Sequence, residues 1–173
     1  FPIELSISAV SLNGQWHAVG YICDISERKH AQLSLQSANR TLKTLSMGNR
    51  TLIKAVDEMQ LLKDMCKVAV DYGGYRQATV GYARDDAEKS IAIMAQNSVV
   101  DEFLDETQFG WDASDKRGNR PAGIAIRSGK TQVVQDILSD ASLSPWHEAA
   151  RKTGYASVIA LPLRDNGKTF GVL

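Results

Sequence analysis

Apolar and polar residues alternate over the first ten positions of the chain, which is the pattern of a half-buried β-strand. Asn13-Gly14 follows, and this pair favours a tight hairpin because both turn positions need a positive φ. Residues 15–24 then predict the returning strand. A two-stranded hairpin is only marginally stable on its own, so we expect this one to belong to a larger sheet. The alternating apolar residues are Phe1, Ile3, Leu5, Ile7 and Ala9.

A long helix is predicted after the hairpin. Ser26 suits an N-cap and Glu27 places an acidic residue in the first turn. The chain then continues to Met59 with no proline and a single glycine. Apolar residues recur at heptad spacing, which predicts a parallel coiled coil along this face. The positions of this seam are Leu35, Ala38, Leu42, Leu45, Asn49, Leu52, Val56 and Met59.

Asn49 occupies a core position of this seam. A polar residue there lowers the stability of a coiled coil but fixes its register and its dimeric state. The alternative is that Gly48-Asn49 marks a break between two helices. We favour the coiled coil, which makes the linker helix the expected contact of a homodimer.

The remaining elements mix strands and helices without regular alternation. Asp57 predicts a second helix start, with Gln60 as its capping-box partner, and Gly73-Gly74 predicts the end of that helix. The later elements are strands over 77–83 and 90–97, a short helix near 99–105, a polar loop near 112–119, a helix from Pro121 to Gly129, a strand over 131–134, a helix over 145–152, and a final hairpin of 157–163 with 169–173 around Asn166-Gly167. This order predicts an α+β fold with an antiparallel sheet flanked by helices.

Charge and composition narrow the classes of function. The chain has 20 basic and 20 acidic side chains, and a net charge of zero argues against a dedicated binder of nucleic acid or of membrane surfaces. It contains no apolar run of about 18 residues and no signal-peptide pattern, so we expect a cytoplasmic protein without membrane insertion. Both termini interrupt a strand pattern, so we expect a fragment of a longer protein.

Residues 1–29 resemble the last two strands of a PAS domain and its exit. The exit motif is Asp24-Ile25-Ser26-Glu27-Arg28-Lys29, which in that family joins the final strand to a signalling helix. The resemblance implies that Asp24 and Arg28 are the pair that links the sheet to the helix. It covers only about 30 residues, and the part of a PAS domain that holds a ligand is absent.

Residues 52–173 resemble a GAF domain of bacterial sensory diguanylate cyclases, phosphodiesterases and histidine kinases. The residues that carry the resemblance follow the family's order and spacing. They are Gly73-Gly74-Tyr75-Arg76, 123–130, 133–137, Ser144-Pro145-Trp146, 154–157, 160–163 and 170–173. GAF domains share one scaffold but bind cyclic nucleotides, bilins, haem, amino acids or no detectable ligand, so the fold alone does not identify a ligand.

The two resemblances together imply a domain order and a function. Residues 1–26 would be the C-terminal hairpin of a PAS domain, 27–51 a signalling linker helix, and 52–173 a C-terminally truncated GAF domain. We expect a sensory module that relays PAS and GAF signals through a dimeric helix. Its output domain would lie outside this chain and would act in cyclic-di-GMP synthesis or breakdown, or as a histidine kinase.

The GAF resemblance also implies a pocket between the sheet and the helices that cross one of its faces. Its side chains suit a small, partly aromatic molecule, because a few polar groups stand on an apolar wall. The alternative is that the large aromatic residues only fill the core beneath the long loops. The candidate lining residues are Tyr82, Trp111, Ala125, Trp146, His147, Tyr155 and Ser157.

Other cofactors and activities are weaker alternatives. In phytochrome GAF domains a bilin-linking cysteine stands directly before a pocket histidine. Here Trp146 precedes His147, so no covalent bilin link forms at that position. Haem ligation would rest on His147 alone. A GAF-type thiol reductase needs several cysteines at one pocket, whereas Cys66 lies alone in a helix pattern. We therefore expect no enzyme activity, no metal site and no certain cofactor in this chain.

Overall fold

The computed structural model describes residues 1–100 and 109–173, and it divides the chain into two compact units. The first unit comprises residues 1–43 and the second comprises residues 44–173. The predicted helix near 99–105 falls largely outside the described residues.

The first unit contains the predicted hairpin. Strands β1 (Ile3–Leu12) and β2 (Gln15–Asp24) pair antiparallel along their whole length. Asn13 and Gly14 have φ values of 53° and 78°, as a two-residue turn of this kind requires. The prediction of a hairpin closed by Asn13-Gly14 is confirmed.

Helix α1 (Ser26–Lys54) starts in the first unit and ends in the second. It continues without interruption through Gly48-Asn49, so the alternative of a break at that position is wrong. The helix ends at Lys54, and Asp57 caps the next helix, its side chain accepting a hydrogen bond from the backbone N–H of Gln60 at 2.9 Å. Val56 and Met59 therefore lie outside α1, and the predicted seam ends at Leu52.

The second unit is an α+β structure with antiparallel strands, as predicted. Its elements are α2 (Glu58–Asp71), β3 (Gln77–Ala83), β4 (Ile91–Ser98), α3 (Pro121–Ser128), β5 (Gln132–Val134), a 3₁₀ segment (Ala141–Trp146), α4 (His147–Thr153), β6 (Val158–Ala160), β7 (Pro162–Asp165) and β8 (Lys168–Val172).

The strands of this unit form two sheets. The larger has the order β4-β3-β8-β7 and the smaller pairs β5 with β6. The stretch 157–163, predicted as one strand, changes sheets at Leu161, which exchanges both backbone hydrogen bonds with Leu173. Its first half therefore pairs with β5 and its second half with β8.

Local turn signals place several boundaries where the sequence predicts them. Pro121 opens α3 at its first turn, and Gly129 closes it with a φ of 63°. Asn166 and Gly167 have φ values of 47° and 82° and form the last hairpin turn. The helix predicted over 145–152 is instead a 3₁₀ segment followed by α4.

Three clusters of buried residues form the core of the second unit. Cys66 of α2 packs with Val80 and Ala95 of the larger sheet. Ile91, Ala125, Ile126, Ala160 and Val172 form the second cluster, which brings α3 to the strands. Ile137, Leu143 and Ala150 form the third, around the 3₁₀ segment and α4. We call these the α2 cluster, the α3 cluster and the α4 cluster.

Candidate functional site

The predicted dimer seam lies on the surface of α1. Leu35, Leu42, Leu45 and Leu52 are between 53% and 65% exposed, and Ala38 and Asn49 are also exposed. The buried residue of α1 is Gly48, and a Cβ built there would lie 3.7 Å from Cε of Met65 in α2. The second half of α1 therefore turns Gly48 toward α2 and leaves the leucine face open.

The hairpin and α1 are joined by two side-chain contacts within the first unit. Asp24 accepts hydrogen bonds from the side chain of Ser26 and from its backbone N–H, the latter at 2.8 Å, and both lower the pKa of that carboxyl. Arg28 donates to Glu4 at 2.9 Å and pairs with it. The PAS resemblance predicts Asp24 and Arg28 as the pair that links the sheet to the helix; the partners they have here are instead Ser26 and Glu4 respectively.

Tyr82 of β3 lies on the side of the sheet that faces α2. Its ring packs against the α2 cluster and meets Phe170 edge-on, with centroids 5.4 Å apart. Its hydroxyl donates to Glu58 at 2.5 Å. Desolvation and the nearby Glu58 carboxylate raise the pKa of Tyr82 to about 12.

Trp111 and Ala125 belong to the α3 cluster. Ala125 has no exposed surface. The indole Nε1 of Trp111 donates to the carbonyl of Arg84 at 2.9 Å, and the Lys89 ammonium lies 4.7 Å from the ring centroid. Trp111 is thereby held against the β3–β4 hairpin.

Trp146 and His147 lie where the 3₁₀ segment meets α4. The Trp146 ring is edge-on to Phe109 at 5.7 Å, and the Arg120 guanidinium stands 4.2 Å from its centroid. Nε2 of His147 lies 3.1 Å from the backbone carbonyl of Asp140. That bond ties the start of α4 to the residue that caps the 3₁₀ segment.

Tyr155 and Ser157 follow α4. The Tyr155 hydroxyl donates to Oε1 of Gln77 at 2.5 Å and lies 3.4 Å from the hydroxyl of Ser98. The ring packs on the α4 cluster. Ser157 is exposed. Tyr155 therefore links the loop after α4 to the strands β3 and β4.

The structure distributes the seven predicted pocket residues over different packing environments. Tyr82 packs with the α2 cluster, Trp111 and Ala125 with the α3 cluster, and Trp146 and Tyr155 with the α4 cluster. Tyr82 is the clearest departure from the predicted wall, because its hydroxyl is committed to α2. A shared pocket for the whole set remains a prediction.

Several residues that hold these positions have no signal in the sequence strong enough to single them out. Glu58 is one, since an acidic residue in a first helical turn is common. Arg127 is another: it donates to the carbonyls of Trp111 and Gly118 at 2.8 Å and 2.6 Å, and to Asn119 at 3.3 Å. The sequence signal that points to Arg127 is its lone charge in the apolar α3 pattern.

A recess of about 480 Å³ opens beside the β3–β4 hairpin. It carries charges of both signs over a small apolar floor, and none of the seven predicted residues lines it. The lining residues are Arg84, Asp86, Ala87, Glu88, Ser90, Ile91 and Arg117.

Residues 1–100 and 109–173 contain no group of three or more His, Cys, Asp or Glu side chains arranged to hold a metal ion. Within the same residues, no helix is both long and apolar enough to cross a membrane.

Comparison with known proteins gives a consistent family match. A family model described as a GAF domain matches residues 55–173. No curated protein sequence matches the chain significantly.

Solved structures with the same fold come from functionally different proteins. The nlh2 GAF domain of A. aeolicus in an inactive state is 18% identical, with a TM-score of 0.58 over 77% of this chain and 78% of that one. The free methionine-R-sulfoxide reductase of Neisseria meningitidis is 17% identical, with a TM-score of 0.57 over 79% and 72%. The chromophore-binding domain of a Stigmatella aurantiaca bacteriophytochrome is 16% identical, with a TM-score of 0.53 over 97% and 59%. At these identities the likeness shows a shared fold.

Proposed function

Because this chain belongs to the GAF family over residues 55–173, we propose that it is the sensory and regulatory module of a signal-transduction protein. In this proposal the GAF domain occupies 52–173, the linker helix 27–51, and the last hairpin of a PAS domain 1–26. Signals from both domains reach an output domain outside this chain through a pair of linker helices. The observation that carries the proposal is the GAF match together with the open leucine face of α1.

The leucine face favours a second copy of this chain as its partner. Heptad spacing buries a seam only when another helix with the same spacing lies against it. The positions flanking the seam of α1 include Ser34, Thr41 and Ser46, which are uncharged and therefore do not repel an identical helix. An identical helix also supplies the matching leucines in the same order.

Asn49 favours a parallel arrangement of the two helices. In a parallel pair, core positions meet their own copies, so Asn49 faces Asn49 and the two amides hydrogen bond to each other. In an antiparallel pair centred on the seam, Asn49 faces Ala38 and its amide is buried without a partner. An unpaired buried amide costs about 1–3 kcal/mol, which favours the parallel form.

A parallel pair lets the helix act as a relay. A ligand shifts the equilibrium between two helix arrangements only through its different affinity for each of them. The PAS exit contacts of Asp24 and Arg28 would fix the hairpin to the start of α1, so that movement of the sheet moves the helix. The output activity would be cyclic-di-GMP synthesis or breakdown, or histidine kinase activity. The sequence of the output domain would identify which.

A small-molecule effector of the GAF domain belongs to the same proposal. Its candidate contacts are the predicted residues that lie away from α2, with Trp146 and His147 foremost because they are half-buried side chains where the 3₁₀ segment meets α4. Isothermal titration with candidate effectors should show binding that is weakened in Trp146→Ala. If the heat of binding is unchanged in this variant, the ligand binds at another site.

Two alternatives predict different properties of the purified protein. A haem- or bilin-binding sensor would be coloured, and a visible absorption band in the purified protein would replace our proposal with that one. A thiol reductase needs a reactive thiolate, whereas Cys66 is fully buried and burial raises the pKa of its thiol.

Sedimentation of matched variants tests the dimer. Leu42 lies on the seam, and Leu33 is comparably exposed but lies off it. We expect Leu42→Glu to convert the dimer to monomer, because two glutamates would face each other in the seam. Leu33→Glu should remain dimeric. A wild-type chain that sediments as a monomer at high concentration, or two variants that behave alike, would contradict the proposal.

A further inference from the structure

The contact between Tyr82 and Glu58 joins β3 to the start of α2, within the second unit. Glu58 is the first residue of α2, directly after the turn of residues 55–57 that separates α2 from α1. Tyr82 belongs to β3, and its hydroxyl donates to the Glu58 carboxylate at 2.5 Å. Hydrogen bonds to an ionised acceptor are roughly twice as strong as neutral ones. The bond therefore joins the sheet to the helix junction.

The ring of Tyr82 is held in position by the neighbouring strand. A register shift between Leu163 and Arg164 leaves Phe170 as an extra residue of β8, and its ring meets Tyr82 edge-on. A Cβ built at Gly171 would lie 2.9 Å from the Tyr82 ring. Because β8 leaves the ring so little space, the position of the hydroxyl follows the position of the strands.

The same short stretch of β3 also contacts the opposite side of the sheet. A Cβ at Gly81 would lie 2.5 Å from Cγ2 of Ile91, and Ala83 packs on the α3 cluster. Interiors packed this closely transmit a displacement instead of absorbing it. A shift in the α3 cluster therefore moves β3, and with it the hydroxyl of Tyr82.

The turn between the two helices has little apolar burial of its own. Ile53 and Val56 are 86% and 94% exposed. The cap provided by Asp57 holds the first turn of α2 together, but it does not connect that turn to the sheet. The Tyr82–Glu58 bond makes this connection.

We propose that the bond between Tyr82 and Glu58 is a strap that fixes the α1–α2 turn to the sheet and passes displacements of β3 to the helices. Tyr82 is then a positioning residue and not a ligand contact. The strap is inferred from the second unit alone. Only its consequence for signalling, that the state of the sheet sets the state of α1, rests on the proposed function.

Hydrogen exchange measured by mass spectrometry tests the strap in the whole chain. Tyr82→Phe and Glu58→Gln each remove or weaken the bond while keeping the side-chain shape. We expect amide exchange over residues 49–62 to become roughly two- to tenfold faster in each variant. The double variant should be no faster than the faster single variant, because both substitutions remove the same contact.

A matched control separates the strap from a general loss of a tyrosine hydroxyl. Tyr155→Phe removes a hydroxyl that donates at the same distance of 2.5 Å to Gln77, the first residue of β3. It should leave exchange over 49–62 unchanged. Three results would each overturn the strap. They are unchanged exchange in Tyr82→Phe, additive effects in the double variant, and equal acceleration of exchange in the β3–β4 peptides.

The failure of the signalling proposal would give a different result. If the wild-type chain is a monomer in sedimentation, the relay through paired helices fails. The exchange experiment still reports the strap in that case, because Tyr82, Glu58 and residues 49–62 all belong to the second unit.

Discussion

The two units of this chain carry comparable hydrophobic patterns and use them differently. In residues 1–43 no side chain is buried, and strand and helix residues such as Leu5 and Leu42 are more than half exposed. In the second unit, α2 and α3 close two clusters against the strands, and the third forms around the 3₁₀ segment and α4. The pattern of a sequence thus shows which face is apolar, whereas the contacts made within the chain decide whether that face becomes a core.

Buried and exposed apolar residues therefore serve different properties of the protein, the stability of its fold and its association with partners. An apolar residue inside a cluster stabilises the fold by about 1.5–3 kcal/mol relative to exposure. An exposed apolar residue contributes little to the fold but is available to a partner, as large exposed apolar patches commonly are. Substitutions in the three buried clusters should therefore change unfolding, and those in the seam should change association.

The largest effect is expected from the same substitution made in each unit. Leu143 is 1% exposed in the α4 cluster, and Leu5 is 57% exposed in the hairpin. Leu143→Ala should lower the free energy of unfolding by about 2–5 kcal/mol, because it removes buried methyl groups and leaves a cavity. Leu5→Ala should change it by less than about 0.5 kcal/mol. Urea unfolding followed by circular dichroism measures both, and comparable losses would remove the contrast between the units.

The next effect concerns close backbone contacts. A Cβ at Gly123 in α3 would lie 2.3 Å from the carbonyl oxygen of Gly118, whereas a Cβ at Gly20 in β2 would lie 3.4 Å from its nearest neighbour. Gly123→Ala should destabilise the second unit by about 1–3 kcal/mol, because the loop must move away from the helix.

Gly20→Ala provides the matched control in the first unit and should be nearly neutral. The thermal midpoint of each variant checks the pair. A neutral Gly123→Ala would show that the loop yields without cost.

A smaller effect is expected at Asn49, where the seam is polar. Asn49→Leu should tighten the association of the two helices but weaken its specificity, because the amide pair no longer fixes the register. Sedimentation equilibrium should then show a mixture of oligomeric states. A single dimer with unchanged affinity would argue that Asn49 does not lie in the contact. Ser37→Leu, on the outer face of α1, is the control.

Local signals explain how much of the fold was predictable from the sequence. The turns and caps lie where the sequence places them, because Asn13-Gly14, Pro121 and Gly129 act through their own backbone preferences. Asp57 acts through a side-chain cap to a residue only three positions away. The change of partner at Leu161 was not predictable, because it depends on Leu173, a residue that reaches it only in the folded sheet.

The candidate site was less predictable for a related reason. Aromatic residues such as Tyr82 and Trp111 fit a ligand wall and a core equally well in sequence. Their roles are decided by polar partners distant in the chain, Glu58 for Tyr82 and Arg84 for Trp111. Residue type predicts that a half-buried tyrosine hydroxyl will find a partner, but it does not identify that partner.

The smallest predicted effects are opposite pH dependences of the two units. The hydrogen bond from Ser26 lowers the pKa of Asp24 below its ordinary value of about 3.9. A carboxyl whose pKa is lower in the folded state stabilises the fold above that ordinary value and loses its contribution as the pH falls through the lowered one. The contact between hairpin and α1 should therefore weaken only below about pH 4. Amide chemical shifts in acid should move near Asp24 in wild type and not in Asp24→Asn.

The pKa of Tyr82 is raised to about 12, so its contribution to stability is complete below the ordinary value of about 10 and is lost as the pH rises toward 12. In alkali, the tyrosinate absorbance of wild type minus that of Tyr82→Phe should titrate near pH 12. A difference curve centred near pH 10 would show that the Tyr82 hydroxyl is neither desolvated nor bound to Glu58.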